Sequence, residues 1–291
     1  MIDEADILKK LPSLLPLTRR IAAGAGDDCA VITMPGDNDL LAAADQVIEN
    51  IHFLPETPPY DAGKKLMNRT LSDIAAMGGT PLTALLTIAV NGKSMQWVTD
   101  FLKGAADAGM RYNVPVCGGD TAKLPAPGAV ATLTILGEVP KGKSILRSGA
   151  EPGDLLYITG PVGNSFKSNH HLHFTPRLAE SRLIAPFATA MIDISDGLLL
   201  DAARIAESSS VTLLLDLEQI PLRPGAEKPQ AFSDGEDYEL LFTSPHLPET
   251  FCFPDTGKIT CIGKVVPAQG DALLTADHQP IKMEYLGYVH R

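Results

Sequence analysis

The sequence predicts an α+β (mixed α/β) fold in two domains, and three observations lead there. Apolar runs of strand length alternate with stretches of helical period along the chain. The length, 291 residues, suits two domains at ~100–200 residues each. A Gly/Pro-rich stretch, 137–153, interrupts the pattern midway. The division is placed near Ser148, giving an N-terminal domain over 1–147 and a C-terminal α/β domain over 148–291.

In chain order, the first clear strand is "DLLAAADQV" (39–47), a short apolar run ending in an acid. Residues 61–77 place Leu66, Met67, Leu71, Ile74 and Met77 close to a helical period and predict a helix. "LTALLTIAV" (82–90) is a strand, closed by an Asn91-Gly92 turn. Ser94 stands where an N-cap belongs, ahead of a helix to about Arg111 with Trp97, Phe101, Ala105 and Ala108 on one face. "VPVC" (114–117) and "AVATLTIL" (129–136) are further strands. In the second half, strands are expected at 154–159, 189–194, 211–216, 236–243 and 258–266. One helix, "GLLLDAARIAES" (197–208), sits between two of them, and 161–176 reads as a loop.

Composition narrows the function classes. Hydrophobic residues make up 45% and charged ones 20%, which suits packed cores. The net charge of −11 repels bare phosphates, and no Lys/Arg run reverses it locally, so no nucleic-acid partner is expected. An anionic ligand would need metal ions as intermediaries. No apolar run reaches ~18 residues, so no membrane partner is expected either. "MIDEADILKKL" is charged and helix-like rather than a signal peptide, which points to the cytoplasm. Cys29, Cys117, Cys252 and Cys261 form no C-x-x-C pair and are expected to be small buried hydrophobes.

"GEVPKGKS" (137–144) fits the phosphate-cradling pattern G-x-x-x-x-G-K-[ST]. That loop works only when a helix follows, with its N-terminal N–H groups aimed at the phosphates. Here Ser144 is followed by three residues and then the turn-formers "SGAEPGD" (148–154), and Pro140 removes a donor from the cradle. The stretch is read as a connector.

The chemistry lies instead in aspartates where apolar runs stop: Asp27 and Asp28, Asp45, Asp73, Asp120, Asp193 and Asp196. Most stand beside glycine or other small residues, which let backbone and ligand approach closely. Each alone also fits turn or cap chemistry, and Asp196 ahead of Gly197 could be an N-cap. Asp73 falls inside a predicted helix and is expected to face solvent or a cluster of cations. Converging carboxylates would repel one another; Mg2+ removes that conflict, takes oxygen ligands and bridges to phosphates. The dipeptide Ser-Asp recurs in "LSDI" (71–74), "ISDG" (194–197) and "FSDG" (232–235).

"GDDCAVI", "LSDIAAMGG", "GGDT", "LRSGAEPGD", "IDISDGLLLD" and "DGEDYELLFT" occur in this order, from about residue 24 onward. Together they resemble bacterial thiamine-monophosphate kinase, of the aminoimidazole ribonucleotide synthase superfamily. The resemblance implies a homodimer paired through its N-terminal, ATP- and Mg-binding domain, with the C-terminal domain completing the site. It implies several Mg2+ ions, ATP as co-substrate and thiamine monophosphate as acceptor. Family metal ligands match Asp28, Asp45, Asp73, Asp120, Asp193 and Asp196. Nucleotide contacts match Gly119, Asp120, Arg147 and Ser195, and substrate contacts match His52, Glu236 and Tyr285. Catalysis would rest on Asp73, Asp120 and Arg147.

The chain departs from the family pattern in four places. Ala43 and Ala44 precede Asp45 where the family commonly has Ser-Thr, Thr70 replaces an asparagine, and Asp234 replaces a glycine. A short segment, 160–176, with His170, His171 and His173, stands in for a longer helical insertion. These histidines are expected to face solvent, in a segment that is mobile or alters substrate access. Two other readings compete: an ATP-dependent ligase/cyclase like aminoimidazole ribonucleotide synthase, and a non-catalytic homologue that binds nucleotide or thiamine phosphate.

Overall fold

Alternating apolar positions build a first sheet and mostly unbroken apolar runs a second, filled one after the other along the chain. The structure, a computed structural model, describes residues 17–248 and 259–281, with Ile7, Lys10, Leu11, Leu14, Leu15, Phe251 and Phe253. Most of the helix-like N-terminus, Cys252 and Tyr285 lie outside the described residues.

The first sheet holds β1 (Ile21–Ala23), β2 (Ala30–Ile32), β3 (Asn38–Ile48), β4 (Thr80–Asn91), β5 (Val116–Lys123) and β6 (Gly128–Pro140). Their order is β1-β2-β3-β6-β4-β5, and only β4–β5 is parallel. On β6, Ala129, Ala131, Leu133, Ile135 and Val139 alternate inward, leaving the other face half-buried. Two helices cover the inward face: α1 (Pro59–Ala76) and α2 (Met95–Met110). Ser94 caps α2 as expected, its Oγ accepting from Trp97 N at 3.1 Å. The two helices cross at glycines. A Cβ on Gly63 would stand 1.9 Å from the Phe101 carbonyl oxygen, and one on Gly104 would stand 1.9 Å from that of Tyr60.

The second sheet holds β7 (Leu155–Ile158), β8 (Ala190–Asp193), β9 (Val211–Leu215), β10 (Leu240–Ser244), β11 (Thr260–Pro267) and β12 (Leu273–Thr275). Their order is β12-β9-β11-β7-β10-β8, parallel only at β12–β9. The short helices α3 (His170–His173) and α4 (Leu178–Ile184) precede α5 (Leu198–Ser209), and α6 (Lys228–Ala231) follows it. β8, β9 and β10 are buried on both faces, which is why they read as unbroken apolar runs. One face packs on α5 through Ile192, Leu213 and Leu241. The other joins the first core through Met191, Leu240 and Phe242. α1 touches β3, β6 and α2 on its own side and β8 across the gap.

Several expectations fail on the structure. β3 runs on to Ile48 and β5 to Lys123, so Asp45 and Asp120 lie within strands rather than at their ends. Residues 236–239 are not strand: Glu236 and Tyr238 adopt φ of 55° and 51°, which break the ladder. His171 is buried and stacked on Phe166, with ring centroids 4.6 Å apart, and His170 is half-buried; only His173 is exposed. Cys29 is buried, but Cys117 and Cys261 are exposed. As expected, no helix follows the glycine loop at 137–144.

Candidate functional site

Three distant parts of the chain deliver carboxylates to one point. Asp28 stands just ahead of β2, Asp73 in the last turn of α1, and Asp193 at the end of β8. One carboxylate oxygen from each lies within 4.8 Å of the others. Burial first, then the charges of Asp45, Asp193 and Asp28, push the Asp73 carboxyl well above the usual carboxylate range. Burial and then Asp28 do the same to Asp193. Asp73 thus faces other acids rather than open solvent. An all-oxygen, mutually repelling set of this size fits a hard divalent cation.

Arginines hold the flanks. Arg147 Nη2 donates to Asp28 Oδ1 at 2.7 Å, Nη1 to the Gly26 carbonyl at 3.1 Å, and its own backbone N–H to Asp27 Oδ1 at 2.7 Å. Burial pulls the Arg147 pKa down, but Asp28, aided by Asp201 and Asp193, more than offsets it. Arg204 lies 2.6 Å from Asp196 and donates to Asp201, whose Oδ2 accepts the backbone N–H groups of Ser195 and Asp196 at 3.1 Å each. Asp196 is therefore ion-paired; Gly197, not Asp196, occupies the N-cap position of α5. Arg69 Nη2 donates to Asp45 Oδ1 at 3.1 Å.

A cavity of about 540 Å³ adjoins these groups, within the usual range for small-molecule sites. His52, Arg69, Ser195, Asp196 and Glu236 line it, with Phe166 and Lys167 from the 160–176 segment at its rim. His52 Nδ1 accepts the Ile48 N–H at 3.0 Å, which puts the proton of the neutral ring on Nε2. In "GEDYE" the side chains part ways. Asp237 is paired with Arg223 and Glu239 with Arg177, each at 2.6 Å, and both acids are buried. Glu236 turns toward the cavity, at 2.6 Å from the fully buried Lys65. Two Ser-Asp-Gly turns lock together beneath it. A Cβ on Gly235 would stand 2.7 Å from the Ser195 carbonyl, and one on Gly197 3.0 Å from Ser233.

Gly119 and Asp120 are not part of this gathering. They lie on β5, the edge strand of the first sheet, with Asp120 exposed. Sequence reasoning missed Lys65, Arg69 and Arg204. A signal existed for the first two: Lys65, Arg69 and Asp73 recur every four residues, which puts them on one face of α1. That face meets Glu236, Asp45 and the acid triad in turn.

The domain family described as AIR synthase related protein, N-terminal domain, matches residues 26–139. Thiamine-monophosphate kinase of Escherichia coli K12 is 31% identical, over 93% of this chain and 92% of its own. The enzyme of that name from Rhodopirellula baltica is 34% identical over the same shares. The solved complex of AaThiL with AMPPCP and TMP superposes with a TM-score of 0.86 at 27% identity, covering 99% of this chain and 97% of that one.

Proposed function

The chain belongs to the thiamine-monophosphate kinase family, and from that premise we propose that it moves the γ-phosphoryl group of ATP onto the phosphate of thiamine monophosphate, giving thiamine diphosphate and ADP. The observation that carries this reading is the meeting of Asp28, Asp73 and Asp193 beside a cavity lined by His52, Ser195 and Glu236. The AMPPCP and TMP held by the solved relative are the ligand pair the reading requires.

The acceptor is a phosphate monoester with a second pKa near ~6, so it is already ionised at neutral pH and needs no strong general base. The protein must align the two phosphates and neutralise their charge. Asp28, Asp73 and Asp193 would hold Mg2+, which when bound supplies that neutralisation. Arg147, fixed on Asp28 and Gly26, presents a rigid guanidinium to the nucleotide phosphates. Ser195 is held at the cavity wall by Asp201. Glu236, in an acidic cavity with Asp196, favours a cationic acceptor ring.

On this reading the site forms between residues 1–147, which bring Asp28, Asp73 and Arg147, and residues 148–291, which bring Asp193, Ser195 and Glu236. A second copy pairs through the first sheet, whose strand β4 exposes Leu82 and Leu85 beside the edge strand β5, and brings Gly119 and Asp120 to the nucleotide. The proposed setting is the cytoplasm, where ATP is available.

The test is a product assay with ATP, Mg2+ and thiamine monophosphate. Thiamine diphosphate and ADP should appear in equal amounts. Calorimetric binding of both substrates without product would overturn the reading in favour of a non-catalytic homologue.

A further inference from the structure

Arg69 occupies an unusual position between the two ends of the site. It lies one helical turn from Lys65, which holds Glu236 at the cavity, and one turn from Asp73 in the acid triad. Its guanidinium is held on two sides. Nη2 donates to Asp45 Oδ1 at 3.1 Å, and Nη1 donates to the Gln46 carbonyl at 3.2 Å. Nε lies 3.1 Å from Asp45 Oδ2 but off the direction of its own N–H, so that buried donor has no aligned acceptor. A guanidinium has five N–H groups. Two are committed in aligned bonds and the buried Nε–H lies against Asp45, which leaves two on a side chain that lines the cavity.

Asp45 is poorly equipped as a metal ligand. The two residues before it, Ala43 and Ala44, offer no side-chain oxygen. Magnesium demands near-octahedral oxygen coordination and dehydrates reluctantly. To ligate it, Asp45 would have to give up a cation already tethered to the same chain. In the acid triad Asp28 also carries an arginine, Arg147, at 2.7 Å, but among the described residues Asp73 and Asp193 form no ion pair, and their charges are left to repel one another.

We propose that Arg69 is a built-in cation that stands in for a magnesium ion at Asp45 and offers its uncommitted N–H groups to the phosphates as they meet between the triad and the cavity. The part concerning the phosphates rests on the kinase reading; the replacement of a metal at Asp45 does not. Asp45 is then a positioning residue that aims Arg69, and the chain binds fewer divalent ions than it has aspartates in the region.

Mn2+ serves as the probe, counted by electron paramagnetic resonance with AMPPCP and without thiamine monophosphate. Asp45→Asn should leave the number of Mn2+ ions per chain unchanged, while Asp193→Asn should lose at least one. Arg69→Ala should gain one Mn2+ per chain, and the gain should vanish in the Arg69→Ala/Asp45→Asn double variant. Loss of an ion in Asp45→Asn alone overturns the proposal, as does a folded Arg69→Ala that gains none. Should Arg69→Ala fail to fold, Arg69→Lys serves: it should keep the wild-type count, and a gained ion would overturn the proposal. Because no acceptor is present, a negative product assay with these counts intact would sink the kinase reading and leave the inference standing.

Discussion

Replacing Lys65 with methionine separates what this buried cation does for activity from what it does for stability. Its side chain is fully buried; Nζ lies 2.6 Å from Glu236 Oε1 and donates to the His52 carbonyl at 2.6 Å. Burial lowers its pKa from 10.5 to about 8, with Glu236 opposing the fall. At ~1.4 kcal/mol per tenfold change, that is roughly 3 kcal/mol against the charged form even with its partner in place. The sign follows. Between pH 8 and 10.5 the unfolded chain holds a proton on Lys65 that the folded chain has released, so this group makes stability rise with pH. Activity should move the other way. Above pH of about 8 the cation that holds Glu236 and the His52 carbonyl is lost, and kcat/KM for thiamine monophosphate should fall tenfold per pH unit. At pH 7, Lys65→Met should cost kcat/KM about ten- to a hundredfold, from the ~1.5–3 kcal/mol of a hydrogen bond to a charged group. Its melting temperature should fall as well, because methionine leaves Glu236 and the His52 carbonyl without the cation that paired them, an effect only partly offset by removing a desolvated ammonium. The assay is a pH–rate profile at saturating ATP, run beside thermal melts at each pH. A wild-type profile that stays flat to pH 9.5, or a Lys65→Met variant that keeps the alkaline limb, would refute the reasoning.

Other outcomes follow from the same geometry. Asp73→Asn should reduce turnover by at least ~100-fold while raising the melting temperature in a chelator, since it removes one of three repelling acids; calorimetry and the product assay check both arms. Lys143→Ala, in the exposed glycine connector, should keep turnover within ~twofold of wild type, as surface substitutions away from a site usually do. Burial first, then Arg223, lowers the His170 pKa from 6.5 to about 4. The unfolded chain therefore binds the extra proton in that window, and stability should fall as pH drops from 6.5 toward 4. Denaturant midpoints at three pH values should show that slope shrinking in His170→Gln.

The fold was readable wherever one physical rule dominated. The helical period of α1, the Ser94 cap of α2 and the apolar runs of β8 and β9 are each decided within a dozen residues. β1, β2 and β12 are three residues long, too short for any period to register. β5 was cut short because Gly118, Gly119 and Asp120 have poor strand propensity, yet β4 pairs with them regardless. The burial of His171 comes from Phe166 and the chain around it, which no local pattern encodes. In the site, Asp28, Asp73 and Asp193 could be nominated only as a set, because each alone fits turn, cap or helix-surface chemistry while their recurrence along the chain does not. Their partners could not. Arg147 on Asp28 joins residues 119 apart, and Glu236 reaches Lys65 from the far sheet through a left-handed turn. Asp45 shows the limit most clearly, since nothing local to β3 says that an arginine from α1 will reach it.

Lys65, Arg69 and Asp73 ride on a single rod. Four residues of helix advance ~6 Å and overshoot a full turn by ~40°, so the three side chains mark a slowly winding line ~12 Å long. The spacing between the end that holds Glu236 and the end that gathers acids is therefore set by peptide geometry and not by loops. Gly63 and Gly104 pin that rod at its start, where the carbonyls of the neighbouring helix leave no room for a methyl group. Slippage of α1 along its axis would displace both ends at once. An inserted residue between 69 and 73 would swing the acid ~100° away while leaving the lysine in place. Deletions and insertions in this helix should thus be far less forgiving than those in the short segment at the cavity rim.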